Sequence, residues 1–312
     1  MLQITCLTVL PNEKLAIGFS DGSIYILDLS KVDRVINLNA QSEHVEHTIQ
    51  GVHNGAINCI AFYSEPGGLR IVSAGDAGRI VISDPKTGSV IMVIEGVHTA
   101  AILGLAAYQS PDGPRILSAG YDGRIMISDP QTGQVERAIE GTHADSILDV
   151  AVYDSPEGIR VITSGSDGRL VITDPWAGIV ERTIEDAHTG PIQSIAVYED
   201  GRSLRIFTSG SDGKIVVIDP RTGAVEQIIT KPDLGLVKNM VVYESSKGPQ
   251  IILQAESGIV IVDPQTGETK QLFIFDSPEE VLHVVVFDGP NGPQIVSGGK
   301  DNKIVFFDPH TR

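Results

Sequence analysis

The sequence predicts an all-β fold built from seven copies of one unit of four antiparallel strands. Three observations carry this prediction: a repeat of about 45 residues, short runs of alternating apolar and polar residues, and turn residues between the runs. An Asp closes the third run of each copy, at Asp28, Asp84, Asp129, Asp174, Asp219, Asp263 and Asp308. Because these copies cover the whole chain, we expect one domain, 1–312, and not two independent ones.

The unit at residues 144–188 shows the predicted strands in order. The four strand segments are, in order, ILDVAVY, IRVITSG, RLVITD and IVERTIE. The turns between them are DSPEG, an Asp-Gly turn and DPWAG. Asp-Gly between alternating runs is typical of a tight hairpin, and no stretch has the 3.6-residue period of a helix. Seven such units favour a β-propeller in which each unit is one antiparallel blade.

The last unit is shorter than the others and ends after its third strand. The blades run approximately over 1–53, 54–98, 99–143, 144–188, 189–233, 234–277 and 278–312. We therefore expect a three-stranded last blade with an exposed edge at residues 303–308, which is a template for strand pairing. This edge has three outcomes: addition of a partner strand, self-association, or capping by the chain's own insertion at 29–46, where RVINL reads as an extra strand.

Charge and composition limit the kinds of partner. The chain has 40 acidic and 23 basic side chains, so its net charge is −17. This balance disfavours nucleic acid and anionic membranes and favours basic protein or peptide partners. No apolar run approaches the length of a membrane span, and the N-terminus does not resemble a signal peptide. The chain has only two cysteines, Cys6 and Cys59, so we expect no disulfide framework. We expect a cytoplasmic protein.

Two polar positions recur in register with the strands. A His precedes the innermost strand at His53, His98, His143 and His188, and an Asp lies in the turn after the second strand at Asp21, Asp122, Asp167, Asp212 and Asp301. Together with the Asp that ends the third strand, this pattern resembles the WD-repeat (WD40-like) family of seven-bladed propellers. The Trp that the family places before that Asp is mostly replaced, by Ser83, Ser128, Thr173, Ile218, Val262 and Phe307. Blade 2 has Ala77 in place of the turn Asp, with Asp76 one residue early, and Asp233 and Ser277 replace the His before blades 6 and 7.

The resemblance implies that the repeated His residues are structural. The implied hydrogen-bonded sets are His143 with Asp167 and Thr163, His98 with Asp122 and Ser118, and His188 with Asp212 and Thr208. Where the family has Trp, we expect the Ser128 or Thr173 hydroxyl to add a bond instead. A metal site is not expected, because His residues 45 positions apart lie on successive blades and do not converge.

The favoured function is a non-enzymatic scaffold for protein–protein interaction, without catalytic residues, cofactor or metal. The family's usual binding face, called here the top face, consists of the loops before the innermost strands and the turns after the second strands. Its candidate contacts are Phe19, Asn58, Leu103, Tyr121, Leu148, Gln193 and Lys238. Phe19 and Tyr121 are aromatic where other blades have Gly75, Ser166 or Ser211, and Trp176, the only Trp, is a further candidate on a polar turn.

Two alternative functions stay open. A substrate receptor of a ubiquitin ligase would use Asp219-Pro220-Arg221, which resembles the Asp-x-Arg ending of some WD repeats. An enzyme centred on the channel would use Asp149 and His283, which align on the innermost strands.

Overall fold

Seven four-stranded antiparallel sheets are arranged as the blades of a propeller, which confirms the predicted fold class. The structure, a computed structural model, describes residues 2–31, 35–38, 42–199, 203–231, 234–245, 248–256, 258–273, 282–289 and 292–309. Within these ranges there is no α-helix, and a 3-10 helix spans Leu29–Lys31. None of the described segments is a helix with the length and apolar character needed to cross a membrane.

The strands follow one another from the innermost to the outermost position of each blade. Blade 1 comprises β1 (Ile4–Leu10), β2 (Lys14–Phe19), β3 (Ile24–Asp28) and β5 (Val45–Ile49). Blade 2 comprises β6 (Ile57–Glu65), β7 (Gly68–Gly75), β8 (Ile80–Ser83) and β9 (Val90–Ile94). Blade 3 comprises β10 (Ile102–Ser110), β11 (Gly113–Gly120), β12 (Ile125–Ser128) and β13 (Val135–Ile139). Blade 4 comprises β14 (Ile147–Ser155), β15 (Gly158–Gly165), β16 (Leu170–Asp174) and β17 (Ile179–Ile184). Blade 5 comprises β18 (Ile192–Glu199), β19 (Leu204–Gly210), β20 (Lys214–Asp219) and β21 (Ala224–Thr230). Blade 6 comprises β22 (Val237–Ser245), β23 (Gly248–Ala255), β24 (Gly258–Val262) and β25 (Thr269–Phe273). Blade 7 comprises β26 (His283–Gly289), β27 (Gly292–Gly298), β28 (Lys303–Phe307) and β4 (Val35–Asn37).

Blade 7 has four strands, so the expected three-stranded blade is wrong. The fourth strand is β4, from the insertion that leaves blade 1, and it pairs with β28 through Ile304 opposite Ile36. The Leu38 N–H also donates to the Asn302 carbonyl over 2.9 Å. Ile36 and Leu38 bury their side chains here, which gives the insertion a hydrophobic reason to return. Of the three outcomes for the edge at residues 303–308, the structure shows capping by the chain's own insertion, and not the addition of a partner strand or self-association.

Contacts divide the chain into two compact units. The first consists of Met1–Ser118, Met126–Arg137 and Glu279–Arg312, and the second of Ala119–Ile125 and Ala138–Pro278. In the first unit, apolar clusters lie between blades 7 and 1, between blades 1 and 2, and between blades 2 and 3. In the second unit, they lie between blades 4 and 5 and between blades 5 and 6. Each core is thus a layer between two neighbouring sheets.

Strand alternation explains how blade 4 contributes to its core. Successive side chains point to opposite faces of a sheet. On β16, Leu170 and Ile172 pack toward blade 5, where they meet Ile195 and Ile206. Val171 and Thr173 point to the other face and are also buried. Both faces of the strand are therefore covered, which explains its nearly continuous apolar sequence.

Candidate functional site

Blades 4 and 5 each hold a buried His between a carboxylate and a hydroxyl. In blade 4, Nδ1 of His143 lies 3.1 Å from Oδ1 of Asp167, and Nε2 lies 2.9 Å from the Thr163 hydroxyl. In blade 5, the same distances are 2.9 Å from His188 to Asp212 and 2.9 Å from His188 to Thr208. A neutral imidazole with its proton on Nδ1 donates to the carboxylate and accepts from the hydroxyl.

These hydrogen bonds fix the top-face loops. Oδ2 of Asp167 accepts the Ala144 N–H over 2.9 Å, so one carboxylate joins the loop before β14 to the turn after β15. Burial lowers the pKa of His143, although the neighbouring Asp167 carboxylate raises it. Burial opposes ionisation of Asp212, yet hydrogen bonds from His188 and the Thr189 N–H lower its pKa to about 2. Both pairs therefore consist of a neutral His and an ionised Asp at neutral pH.

Blades 2 and 3 share the contact between His and hydroxyl, and blade 2 differs from blades 4 and 5 on the other side of the ring. Nε2 of His98 lies 2.9 Å from the Ser118 hydroxyl, and Nε2 of His53 lies 2.9 Å from the Ser73 hydroxyl. In blade 2, Nδ1 of His53 is buried without a hydrogen-bond partner, because Ala77 has no carboxylate to offer. Burial, together with the nearby charge of Arg79, lowers the pKa of His53 to about 4. Asp233 and Ser277, which replace the His before blades 6 and 7, lie outside the described residues.

The hydroxyls that stand in place of Trp make no compensating bond. Ser83, Ser128 and Thr173 are fully buried, and their hydroxyl oxygens have no hydrogen-bond partner. The expectation that Ser128 or Thr173 extends the His network is therefore wrong. The Thr173 side chain lies between two apolar residues, Val161 and Val180, which are its partners on the adjacent strands.

Tyr121 stands beside a hollow on the top face. Its side chain is 56% exposed on the turn after β11. The hollow has a volume of about 390 Å³, and Asp122, Arg124, Glu140 and Asp145 line it together with Tyr121. Arg124 and Glu140 form an ion pair of 3.4 Å at its rim. Asp122, which the sequence assigns to the His98 network, thus also faces this hollow.

Phe19 is buried, so its expected role as an exposed contact is wrong. It has no exposed surface, and its ring centroid lies 4.5 Å from that of Tyr25. Phe19 is the last residue of β2, the position that Gly165 and Gly210 occupy in β15 and β19. A Cβ at either glycine would collide with the His and Asp of that blade. In blade 1, Phe19 packs instead in one apolar cluster with Ile4, Ile17 and Ile304.

The other predicted top-face residues are half-buried at the start of the innermost strands. They are Asn58, Leu103, Leu148, Gln193 and Lys238. Asn58 donates to Asp76 over 3.0 Å and to the Ile102 carbonyl over 3.2 Å, and Gln193 donates to the Ser211 hydroxyl over 3.1 Å. The amides are therefore engaged in holding neighbouring loops, and part of each surface faces outward.

Trp176 lies at the other end of blade 4, on the turn between β16 and β17, and is 61% exposed. Asp174 holds this turn by accepting the Trp176 N–H over 2.7 Å and the Ala177 N–H over 2.9 Å. Asp84, Asp129, Asp219 and Asp263 accept the equivalent N–H in their own blades. The Asp of the repeated Asp-Pro sequence thus stabilises a turn in each of these blades. Asp219, which the Asp-x-Arg candidate contains, has this same role.

The two candidates for channel chemistry, Asp149 and His283, are both half-buried. Burial raises the pKa of Asp149 to about 6 and lowers the pKa of His283 to about 4. Oδ1 of Asp149 accepts the Val150 N–H over 2.8 Å, and Oδ2 accepts the Ile195 N–H over 2.8 Å. Asp149 therefore joins the innermost strands of blades 4 and 5. Within the described residues, no group of three or more His, Cys, Asp or Glu side chains is placed to hold a metal ion.

Comparison with known families gives two matches within the chain. The family model described as WD domain, G-beta repeat, matches residues 88–129 and 180–219. Each match begins within two residues of the start of the outermost strand of one blade and ends with the Asp that follows or closes the third strand of the next. No curated protein matches the chain. The two matched repeats and the seven four-stranded blades are consistent with a WD-repeat family, which confirms the resemblance seen in the sequence.

Proposed function

We propose that this protein is a non-enzymatic scaffold that binds protein or peptide partners through the loops of its blades. The observation that carries the proposal is Tyr121, an exposed aromatic side chain beside a hollow on the top face. Ser166 and Ser211 occupy this position in blades 4 and 5, so the turn does not require an aromatic ring. Tyr is enriched at interface hot spots.

The surroundings of Tyr121 have the composition of an interface. An aromatic contact surrounded by polar side chains is the usual arrangement of a buried centre and a wet rim. His143 also lines the hollow and is anchored through Asp167, so the wall of the hollow is fixed before a partner binds. Pre-organised loops lose less conformational entropy on association. A rigid site of this kind supports recognition of a folded protein or an extended peptide.

The alternatives receive less support from the geometry. Both oxygens of the Asp149 carboxylate accept backbone N–H groups, which favours a structural role over proton transfer. The Asp219 carboxylate accepts the Arg221 N–H and the Thr222 hydroxyl, so it serves the same turn as its counterparts in other blades. The net charge of −17 favours basic partners, and we propose a cytoplasmic location for such encounters.

Photo-crosslinking from the position of Tyr121 tests the proposal. A photoreactive phenylalanine derivative replaces Tyr121 in one sample and Gln131, which is exposed at the other end of blade 3, in the control. We expect a defined polypeptide to be captured at residue 121 only. The purified partner should bind the Tyr121→Ser variant at least about tenfold more weakly than the unchanged chain. Equal capture at both positions, or unchanged affinity, would overturn the proposal.

A further inference from the structure

A groove lies between blades 4 and 5, at the end of the blades opposite to the top face. Its volume is about 670 Å³, and its walls come from the turn between β14 and β15, the end of β18, the turn after β20, and strands β16 and β17. Binding pockets of about 300–1,000 Å³ hold drug-sized ligands, so a few residues of an extended chain fit here. The groove shares no lining residue with the hollow at Tyr121.

A buried Tyr points its hydroxyl into this groove. Tyr153 is 7% exposed, and its hydroxyl makes no hydrogen bond to the residues that the structure describes. Burial raises the pKa of Tyr153 to about 12, and the charged side chains that also act on it are Glu181, Arg160, Arg182 and Asp219. All four line the groove, so the phenol oxygen faces it. A buried hydroxyl without a partner costs free energy, and a ligand in the groove can supply the missing bond.

The neighbouring groove, between blades 5 and 6, shows how the same position is closed. There the Tyr198 hydroxyl donates to Glu244, and neither residue lines the cavity between these blades. Tyr198 and Glu244 align with Tyr153 and Glu199, one repeat of 45 residues earlier. Tyr153 and Glu199 do not form this hydrogen bond, and both line the groove between blades 4 and 5. Blades 4 and 5 therefore leave open to a ligand two groups that satisfy each other in the next pair of blades.

The walls of the groove carry more negative than positive charge. Six carboxylates and three guanidinium groups line it: Asp154, Glu157, Glu181, Glu199, Asp219 and Glu226, with Arg160, Arg182 and Arg221. The Arg160 and Glu181 side chains are paired over 2.6 Å. Asp154 and Glu199 are exposed, and neither has an ion-pair partner in the part of the chain that the structure describes. Carboxylates without a partner beside a hydroxyl favour a cationic ligand.

The remaining guanidinium groups are held at the blade 5 side of the groove. The stem of Arg182 lies against Gly223, and its Nη2 donates to the Arg221 carbonyl over 3.3 Å. The Arg221 guanidinium lies 3.6 Å from the Asp219 carboxylate. Both Arg side chains are thus engaged with the turn after β20. Arg182 has no carboxylate partner among the described residues, so its charge reports whether a bound ligand is cationic or anionic.

We propose that this groove binds a segment of a partner protein through a Lys or Arg side chain. The cationic group donates to the Tyr153 hydroxyl oxygen and to the Glu199 carboxylate, and the charge of Asp154 adds attraction. Neighbouring residues of the segment occupy the rest of the groove. The proposal rests on the scaffold function but uses a surface separate from the hollow at Tyr121.

Peptide selection against the intact chain tests this site. The probe is a phage library of random twelve-residue peptides, with counter-selection against a variant that carries Tyr153→Phe and Glu199→Gln. Both changes preserve side-chain size and remove no side-chain hydrogen bond or ion pair between described residues, so the variant retains the fold. Selected peptides are synthesised, and their affinities for the chain are measured by fluorescence anisotropy. In a second set of peptides, each Arg is replaced by citrulline and each Lys by norleucine, which removes the charge.

Three single variants accompany the measurement. Glu199→Gln removes the carboxylate that we assign to the contact, and Arg182→Gln removes the opposite charge. Asp112→Asn is the matched control, because Asp112 is an exposed carboxylate at the position in blade 3 that Glu157 occupies in blade 4.

We expect selected peptides to carry a net positive charge and one basic residue whose neutral replacement weakens binding about tenfold or more. Glu199→Gln should weaken binding by a similar factor, and the neutral peptide should then lose little more, because both changes remove the same contact. Asp112→Asn should leave the affinity unchanged, and Arg182→Gln should leave it unchanged or strengthen it.

Four results would overturn the proposal: no selected peptide, peptides without basic residues, equal affinity for the variant with Tyr153→Phe and Glu199→Gln, or weaker binding by Arg182→Gln, which indicates an anionic ligand. None of them affects capture of a partner by crosslinking at Tyr121. Failure at this groove is therefore distinguishable from failure of the scaffold function.

Discussion

Replacement of Ile36 by Ala should release β4 from blade 7. Ile36 is 4% exposed and packs in one cluster with Ile304 and Val296, whereas its neighbour Val35 is 52% exposed. Truncation of a buried Ile to Ala costs about 2–4 kcal/mol, because apolar contacts are lost and a cavity remains. A strand of three residues makes only a few backbone hydrogen bonds, each with a net value of about 1 kcal/mol. The loss is therefore comparable to the whole local stability of β4.

Hydrogen exchange measures this release directly. A loss of 2–4 kcal/mol in local stability corresponds to a roughly 30- to 1,000-fold increase in the population of the open state. We expect faster exchange in β28, at residues 303–305, which pair with β4, and little change in β27. Val35→Ala is the matched control and should alter the exchange rates less than about threefold. Unchanged exchange at residues 303–305 in Ile36→Ala would refute the role assigned to the insertion.

Four further predictions concern the buried polar network. Asp167→Ala should lower the free energy of unfolding by about 2–3 kcal/mol in urea denaturation, because Nδ1 of His143 loses its acceptor; no change would show that the pair is dispensable. Ala77→Asp should stabilise the chain by about 1 kcal/mol, because it supplies the carboxylate that Nδ1 of His53 lacks. The new carboxylate should also raise the pKa of His53 above about 4 in an NMR titration, and an unchanged pKa would contradict this. Ser128→Ala should not destabilise the chain, because the buried hydroxyl has no partner; a loss above about 1 kcal/mol would indicate a bond that the structure lacks. The free energy of unfolding should fall as the pH decreases from about 6.5 to 4, because His53, His143, His188 and His283 have lowered pKa values when folded and the unfolded chain therefore binds more protons. The raised pKa of Asp149 acts in the opposite direction but concerns a single group, and a flat urea profile would contradict the net fall.

The sequence was sufficient to predict the seven units and their turns because each unit repeats the same local signals. Alternating residues mark the strands, and Asp-Gly and Asp-Pro mark the turns. Comparison among the units also identified Tyr121 and Trp176 as unusual, since every other copy shows what the fold needs at those positions. Repetition therefore gives an internal reference that a single unrepeated domain does not have.

The remaining features depend on contacts between distant segments. The choice of β4 as the fourth strand of blade 7 joins residues almost 270 positions apart, for example Ile36 and Ile304, and three outcomes were compatible with the sequence. The burial of Phe19 follows from its packing against Tyr25 and in the apolar cluster between blades 7 and 1, which brings distant segments together. The unpartnered Ser128 hydroxyl depends on which groups face it across the sheet. Local patterns do not encode such long-range packing.

A scaffold leaves its partner unchanged, whereas an enzyme releases an altered product. Native mass spectrometry of the chain with the purified partner captured at Tyr121 measures both the stoichiometry of the complex and the covalent mass of the partner. We predict a complex of fixed stoichiometry, weakened about tenfold or more by Tyr121→Ser, from which the partner returns with its mass unchanged. A partner that is cleaved or modified in molar excess over the chain would contradict the scaffold function.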